Sequence, residues 1–195
     1  MGNVAIFVPH VGCPQQCSFC DQRAITGGAQ VPTPQQVWDT AQAAAAHLGD
    51  RVGETEIAFF GGSFTAIPRE QMLSLLAPAK AAVERWGFRG LRCSTRPDAV
   101  DGEVLSLLKA HHMVAVELGA QSMDEEVLRR NRRGHTPADT AQAAGRIKAA
   151  GLELGVQMMT GLCGSTPEKD EETARALLAL QPDTARVYPT VVLAG

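Results

Sequence analysis

Apolar positions along the chain fall into two alternating kinds of segment. Short runs rich in β-branched and aromatic residues, such as Glu56 to Phe60, alternate with longer alanine- and leucine-rich stretches, such as Arg69 to Trp86. This alternation is typical of strand-helix units around a parallel sheet. The predicted strands are Val4 to Val8, Glu56 to Phe60, Leu91 to Thr95, Val114 to Leu118, Glu153 to Met159 and Thr184 to Val192. The predicted helices are Thr33 to Leu48, Arg69 to Trp86, Asp101 to His111, Asp124 to Arg130, Thr136 to Ala150 and Pro167 to Leu180.

This count of six strands and six helices decides the expected architecture. A closed barrel of eight units usually needs about 250 residues, and the chain has 195. The sequence therefore predicts an α/β fold, a partial (β/α)6 TIM-like barrel with its active site at the carboxyl ends of the strands. A doubly wound open sheet is the alternative, because the pattern alone does not distinguish closure from twist. We expect residues 1–195 to form a single domain, and the stop just after a strand suggests that the natural protein continues beyond Gly195.

Composition narrows the class of protein. With 45% hydrophobic and 20% charged residues, the chain is neither disordered nor a coiled coil. It has no apolar run of about 18 residues and no basic segment before its short apolar start, so we expect a cytoplasmic protein without a membrane span. The net charge of -3 gives no global attraction to nucleic acid, and 5% aromatic residues argue against a stacking platform for single strands.

Three of the five cysteines lie within eight residues, directly after the first predicted strand. Cys13, Cys17 and Cys20 have a poor spacing for a disulfide framework. Gly12 and Pro14 break the loop, so the three sulfurs can converge on one metal site, and soft thiolates select zinc, copper(I) or an iron-sulfur cluster. A structural zinc needs four ligands, for which His10, Asp21, Cys93 and Cys163 are candidates. A zinc knuckle or three incidental thiols remain the alternatives to a cluster.

The cysteine loop, with Phe19 just before its last cysteine, resembles that of the radical S-adenosylmethionine (radical SAM) enzymes. The resemblance implies that Cys13, Cys17 and Cys20 hold a 4Fe-4S cluster whose remaining iron chelates S-adenosylmethionine (SAM). It also implies reductive cleavage of SAM to methionine and a 5'-deoxyadenosyl radical, which abstracts a hydrogen atom from the substrate. An external electron donor, a flavodoxin or ferredoxin, is implied with it. The cofactors carry this chemistry, and the protein orients them.

Motifs at later strand ends extend the resemblance over nearly the whole chain. Gly61 and Gly62 follow the second strand, where family members carry two glycines whose backbone meets the methionine amino group of SAM, an approach that a Cβ would block. Family members often have an acidic residue next, and Ser63 departs from that pattern. The residues that the resemblance implies as cofactor contacts are Phe19, Gly61, Gly62, Ser63, Ser94, Glu117, Gln121, Arg133 and Gln157.

One branch of the family is the most similar. The motifs Leu91 to Asp98, Val116 to Ser122 and Asn131 to Thr136 resemble the radical domain of the elongator catalytic subunit and its bacterial relatives, with the coproporphyrinogen-oxidase-like branch also similar. The planar guanidinium of Arg133 suits the methionine carboxylate. Arg132 is the alternative candidate for this carboxylate contact, because the local alignment to the family can slip by one residue.

The elongator resemblance implies modification of RNA, specifically of wobble uridines in tRNA. Two alternatives stand beside it. One is a non-catalytic module that binds zinc or a redox-sensing iron-sulfur cluster, and the other is a radical SAM enzyme acting on a small molecule such as a porphyrinogen. The basic run from Arg129 to Arg133 is interpreted as a helix end, where cations are favoured, rather than as a phosphate-binding patch.

Overall fold

The computed structural model describes residues 2–9, 13, 16–20 and 30–191. Within these ranges six strands form one sheet: β1 (Gly2–Val8), β2 (Thr55–Gly61), β3 (Gly90–Thr95), β4 (Met113–Gln121), β5 (Glu153–Thr160) and β6 (Thr184–Pro189). The same ranges hold the helices α1 (Pro34–Leu48), α2 (Arg69–Trp86), α3 (Gly102–Ala110), α4 (Glu125–Arg130), α5 (Pro137–Ala149) and α6 (Pro167–Ala179). The predicted sixth strand was too long: it ends at Pro189, and Val192 lies outside the described residues.

The strands are parallel and lie in chain order from β1 to β6. Parallel crossovers are almost always right-handed, so a strand order that never reverses keeps the helices on one side of the sheet. The sheet therefore curls into a half-barrel with the helices outside, which confirms the predicted partial barrel. The doubly wound alternative is wrong, because that fold needs a point at which the strand order reverses.

Local sequence signals fix where several helices begin and end. Thr33 caps α1 by accepting a hydrogen bond from the Gln36 amide, and the Gln36 side chain accepts one from the Thr33 amide. Thr136 and Asp139 make the same reciprocal pair at the start of α5. Such capping boxes satisfy amide groups that have no partner inside the helix.

The two faces of the half-barrel differ in chemistry because side chains alternate along each strand. Ile57, Phe59 and Leu91 point outward and belong to the fully buried hydrophobic core beneath the helices. Polar residues occupy the inner face instead. At its amino-terminal end, four of them form what we call the basal ion cluster: Glu56, Arg89, Arg92 and Glu153.

Glu56 is the centre of the basal ion cluster. Its carboxylate has no exposed surface, accepts a 2.5 Å hydrogen bond from Arg92 Nε, and also pairs with Arg89. Burying such charges is costly unless they are paired, and here each carboxylate faces a guanidinium.

Among the described residues, no helix is long and apolar enough to cross a membrane.

Candidate functional site

The carboxyl ends of the strands and the cysteine loop enclose a cavity of about 220 Å³. Cys13, Cys17 and Cys20 all line it; Cys17 is buried, and the other two are partly exposed. Of the predicted cofactor contacts, the cavity lining contains Phe19, Gly61, Gly62, Ser63, Ser94, Gln121, Arg133 and Gln157. The fold thus brings together residues as far apart in the chain as Cys13 and Gln157.

The cysteine loop is attached to the rest of the site by direct contacts. Cys13 Sγ lies 3.3 Å from the hydroxyl of Ser63, which follows β2. On the other side, the backbone amide of Ser18 donates to the Asn131 carbonyl at 3.2 Å, and the Ser18 hydroxyl donates to Asn131 Oδ1 at 2.9 Å. Because Asn131 follows α4 directly, these bonds hold the loop between β2 and the end of α4.

Arg133 reaches into the cavity, whereas its rival Arg132 does not. Arg133 Nη1 donates to Cys17 Sγ at 3.3 Å and Nη2 donates to the Gly119 carbonyl at 2.5 Å. Its guanidinium lies over the Phe19 ring, 5.9 Å from the centroid, and its buried Nε has no partner among the described residues. Arg132 is exposed and lines a separate cavity.

Arg96 places a second buried guanidinium in the cavity lining. The sequence motifs predicted no role for this residue. Its Nε and Nη2 donate to the Asp98 carboxylate at 2.8 and 2.7 Å. Its Nη1 is buried and has no hydrogen-bond partner among the described residues. Burial disfavours the charged guanidinium, but the hydrogen bond and charge of Asp98, with smaller contributions from Cys13 and Cys17, raise the pKa of Arg96 above its usual value.

His135 lies near the same cations but stays neutral. Burial, and next the charge of Arg133, lower the pKa of His135 to about 4. Its Nε2 lies 3.2 Å from the Ala120 carbonyl oxygen. At neutral pH the positive charge beside the cysteines therefore comes from Arg96 and Arg133 and not from this imidazole.

Gln121 is aimed at the cavity by an irregularity in β4. The register between β4 and β5 shifts between Gly119 and Gln121, and Gln121 has a φ of 67°, a left-handed conformation that is rare for a residue other than glycine. Its side-chain carbonyl lies 3.5 Å from Gln157 Nε2. Such strained positions cluster at functional sites, which supports the assignment of this strand end to the site.

At the end of β2, the chain can only be glycine. Gly61 has a φ of 115°, and a Cβ added there would lie 2.6 Å from the Val8 carbonyl oxygen. That same oxygen accepts a 2.8 Å hydrogen bond from the Gly62 amide, which joins the ends of β1 and β2. The glycine pair therefore joins β1 to β2 and forms part of the cavity wall.

Glu117 is the predicted contact that the structure does not bring into the cavity. It lies deeper on the inner face, is 2% exposed, and accepts a 3.2 Å hydrogen bond from the Ser94 hydroxyl. Its other carboxylate oxygen lies 3.2 Å from Arg186 Nε, and the Arg186 guanidinium lies over the Phe60 ring at 5.1 Å. Only through Ser94 does Glu117 reach the cavity.

The remaining candidate ligands lie elsewhere. Cys93 belongs to the hydrophobic core, where burial raises the pKa of its thiol to about 12, and Cys163 is exposed. His10 and Asp21 lie outside the described residues. Among those that are described, no three His, Cys, Asp or Glu side chains are gathered closely enough to hold a single metal ion.

The residues present nevertheless fit an iron-sulfur cluster. The cavity offers three soft sulfur donors, the ligand type that such clusters require. A cluster spreads these thiolates over different iron atoms, whereas a zinc ion gathers them around one centre. Two buried guanidinium nitrogens, Arg96 Nη1 and Arg133 Nε, lack partners among the described residues, so the cavity is prepared for an anionic group.

A curled half-barrel with three cysteines at the carboxyl ends of its strands defines a class of cofactor-binding α/β proteins. Residues 7–177 match the family model of the Radical SAM superfamily. The chain therefore belongs to the Radical SAM superfamily, which is a superfamily of enzymes.

Individual relatives are similar at modest identity. A tRNA uridine(34) acetyltransferase of Dehalococcoides mccartyi is 26% identical over 225 residues, covering 98% of this chain and 49% of that protein. The Elongator complex protein 3 of Danio rerio is 29% identical over 168 residues, covering 76% of this chain and 31% of that protein. The solved structure of an N-terminally deleted archaeal Elp3 from Methanocaldococcus infernus covers the whole chain and 47% of its own, with a TM-score of 0.70 and 22% identity. This chain thus spans about half the length of such relatives, or less.

Proposed function

We propose that this chain is the SAM-cleaving core of an enzyme that modifies uridine 34 of tRNA, and that its 195 residues act as a single domain. The observation that carries the proposal is the cavity at the strand ends, where Cys13, Cys17 and Cys20 face Gly61, Ser63, Gln121, Arg133 and Gln157. A purely structural metal site would need the cysteines but not the polar groups at the ends of β2, β4 and β5, nor Arg133.

In this proposal, the three cysteines bind a 4Fe-4S cluster and the opposite wall of the cavity binds SAM. When bound, the cluster supplies the electron that cleaves SAM to methionine and a 5'-deoxyadenosyl radical. The backbone at Gly61 and Gly62 accepts the methionine amino group, and Arg133 pairs with the methionine carboxylate through its unengaged Nε edge. Phe19 supports Arg133 from below through the ring contact.

The remaining side chains orient and enclose the bound SAM. Ser63, Ser94, Gln121 and Gln157 provide hydroxyl and amide groups along the cavity wall, suited to the polar groups of SAM. Glu117 acts one step removed, because it holds the Ser94 hydroxyl in place. Preorganised polar groups of this kind fix the position of a cofactor and exclude water from the reacting centre.

The cluster is tested by anaerobic reconstitution with iron and sulfide, followed by reduction in the presence of SAM. We expect the parent protein to bind iron and sulfide in equal amounts and to produce 5'-deoxyadenosine, which chromatography detects. Cys17→Ala should abolish both, whereas Cys163→Ala, at an exposed cysteine outside the cavity, should change neither. A parent protein that retains a single zinc ion and assembles no cluster would establish the zinc-module alternative instead.

The tRNA substrate is supported by the relative from Dehalococcoides mccartyi, whose name specifies tRNA uridine(34). We expect 5'-deoxyadenosine formation to increase when a tRNA transcript with uridine at position 34 is added, and not with the same transcript carrying cytidine there. Equal responses to both transcripts would contradict a wobble-uridine substrate. A flavodoxin or ferredoxin should support the same reaction when it replaces the chemical reductant. A tRNA substrate would place the enzyme in the cytoplasm.

A further inference from the structure

We infer that Arg96, held by Asp98, raises the reduction potential of the cluster bound by Cys13, Cys17 and Cys20. This inference rests on the proposed function, because it requires that cluster. It concerns a residue outside the set of predicted SAM contacts, so the effect on the cluster can be separated from SAM binding.

The geometry of Arg96 shows that it is prepared for a partner in the cavity. The side chain is 2% exposed and lines the cavity beside the three cysteines. Asp98 occupies Nε and Nη2 in a bidentate pair, which fixes the plane of the guanidinium. Nη1 is left buried without an acceptor among the described residues, and a buried donor without an acceptor is costly. An anionic group in the cavity would remove that cost.

A cluster bound by three thiolates is such an anionic group. Arg96 lines the same cavity as Cys13, Cys17 and Cys20. Reduction adds one negative charge to the cluster, so a nearby cation and hydrogen-bond donor stabilise the reduced form more than the oxidised form. Net charge and hydrogen bonds to the sulfurs are among the factors that set cluster potentials. Arg96 should therefore make the cluster easier to reduce.

Asp98 should act in the opposite direction. Its carboxylate holds Arg96 in place but also cancels part of the positive charge near the cysteines. The substitution Asp98→Asn keeps a side-chain oxygen that accepts from Arg96 and removes the negative charge. The two substitutions, Arg96→Gln and Asp98→Asn, should consequently shift the potential with opposite signs, which a merely structural role would not produce.

The test is a redox titration of the reconstituted full chain without SAM, in which electron paramagnetic resonance reports the reduced cluster. Four proteins are compared: the parent, Arg96→Gln, Asp98→Asn and, as a control, Arg175→Gln, which removes an exposed arginine paired with Glu171. We expect the equilibrium constant for reduction to fall about tenfold in Arg96→Gln, equivalent to 59 mV for a one-electron couple. Asp98→Asn should shift the potential to a less negative value, and the control should match the parent.

The outcomes separate this inference from the proposed function. If the parent assembles no cluster, the proposed function fails. If the parent assembles a cluster and neither Arg96→Gln nor Asp98→Asn changes its potential, the inference is overturned while the cluster assignment stands. If Arg96→Gln does not fold or does not bind iron, Asp98→Asn decides: a less negative potential supports the inference, and an unchanged or more negative one overturns it.

Discussion

Replacing Gly61 by alanine tests the close approach between the ends of β1 and β2. The new Cβ would lie 2.6 Å from the Val8 carbonyl oxygen, whereas real Cβ atoms stay at least 3.0 Å from such neighbours. The strands would have to separate by about 0.4 Å, which strains the Gly62 to Val8 hydrogen bond. The alanine would also have to adopt a φ of 115°, a conformation that is nearly restricted to glycine.

The expected loss in the free energy of unfolding follows from the strained backbone conformation and the weakened hydrogen bond. A residue forced into such a conformation loses roughly 1–3 kcal/mol, and weakening a buried backbone hydrogen bond adds roughly 1–3 kcal/mol. The alanine variant also has a smaller conformational entropy in its unfolded state, which offsets about 0.4–1 kcal/mol of this loss. We expect a loss of about 3 kcal/mol in the free energy of unfolding.

Gly87→Ala is the matched control, because Gly87 also has a positive φ, 75°, but a Cβ there would meet nothing within 4 Å. Only the conformational cost applies, and we expect a loss of about 1 kcal/mol. Urea unfolding under reducing conditions measures both; with a slope of about 2 kcal/mol/M, the midpoints should fall by about 1.5 M and about 0.5 M. Equal decreases in the two variants would refute the argument from the Val8 contact.

Three further predictions concern buried ionisable groups. Arg92→Leu should lower the free energy of unfolding by about 3–5 kcal/mol, because Glu56 keeps a buried charge with one partner fewer; the double variant with Glu56→Gln should recover part of that loss in urea unfolding. The lowered pKa of His135 means that the unfolded chain binds a proton at this imidazole more readily than the folded chain does. The free energy of unfolding should therefore be fully retained above pH 6.5 and fall by up to about 3 kcal/mol toward pH 4. In His135→Gln, the urea midpoint should lose this pH dependence. In iodoacetamide labelling at pH 8, Cys163 should react and Cys93 should not, because Cys93 is buried with a pKa of about 12; rapid labelling of Cys93 in the folded protein would contradict its burial.

The features that the sequence predicted are those with local signals. Thr33 with Gln36 is a capping pattern within four residues, and the helix it begins lies where it was predicted. The alternation of strands and helices likewise gave the partial barrel, since strand order follows chain order. The resemblance of the cysteine and glycine motifs to those of the radical SAM enzymes implied nine cofactor contacts, and eight of them line one cavity.

What the sequence did not predict depends on side-chain direction and depth. Glu117 was predicted to contact the cofactor, but it lies beside Ser94 in the register of β3 and β4 and outside the cavity lining, a distinction that the strand pattern does not specify. The sequence assigns no role to Arg96, because its burial and its pairing with Asp98 are visible only in the structure. The sequence did contain one signal for Arg96. An arginine at the end of a buried strand needs an acidic or polar partner if it is itself buried.

The basal ion cluster has a consequence for how molecules reach the interior. Glu56 has no exposed surface and Arg92 is 3% exposed, so the inner face is sealed at the amino-terminal end of the strands. Molecules then reach the inner face through the carboxyl-terminal mouth, where the cysteines lie, or through the open side between the edge strands β1 and β6.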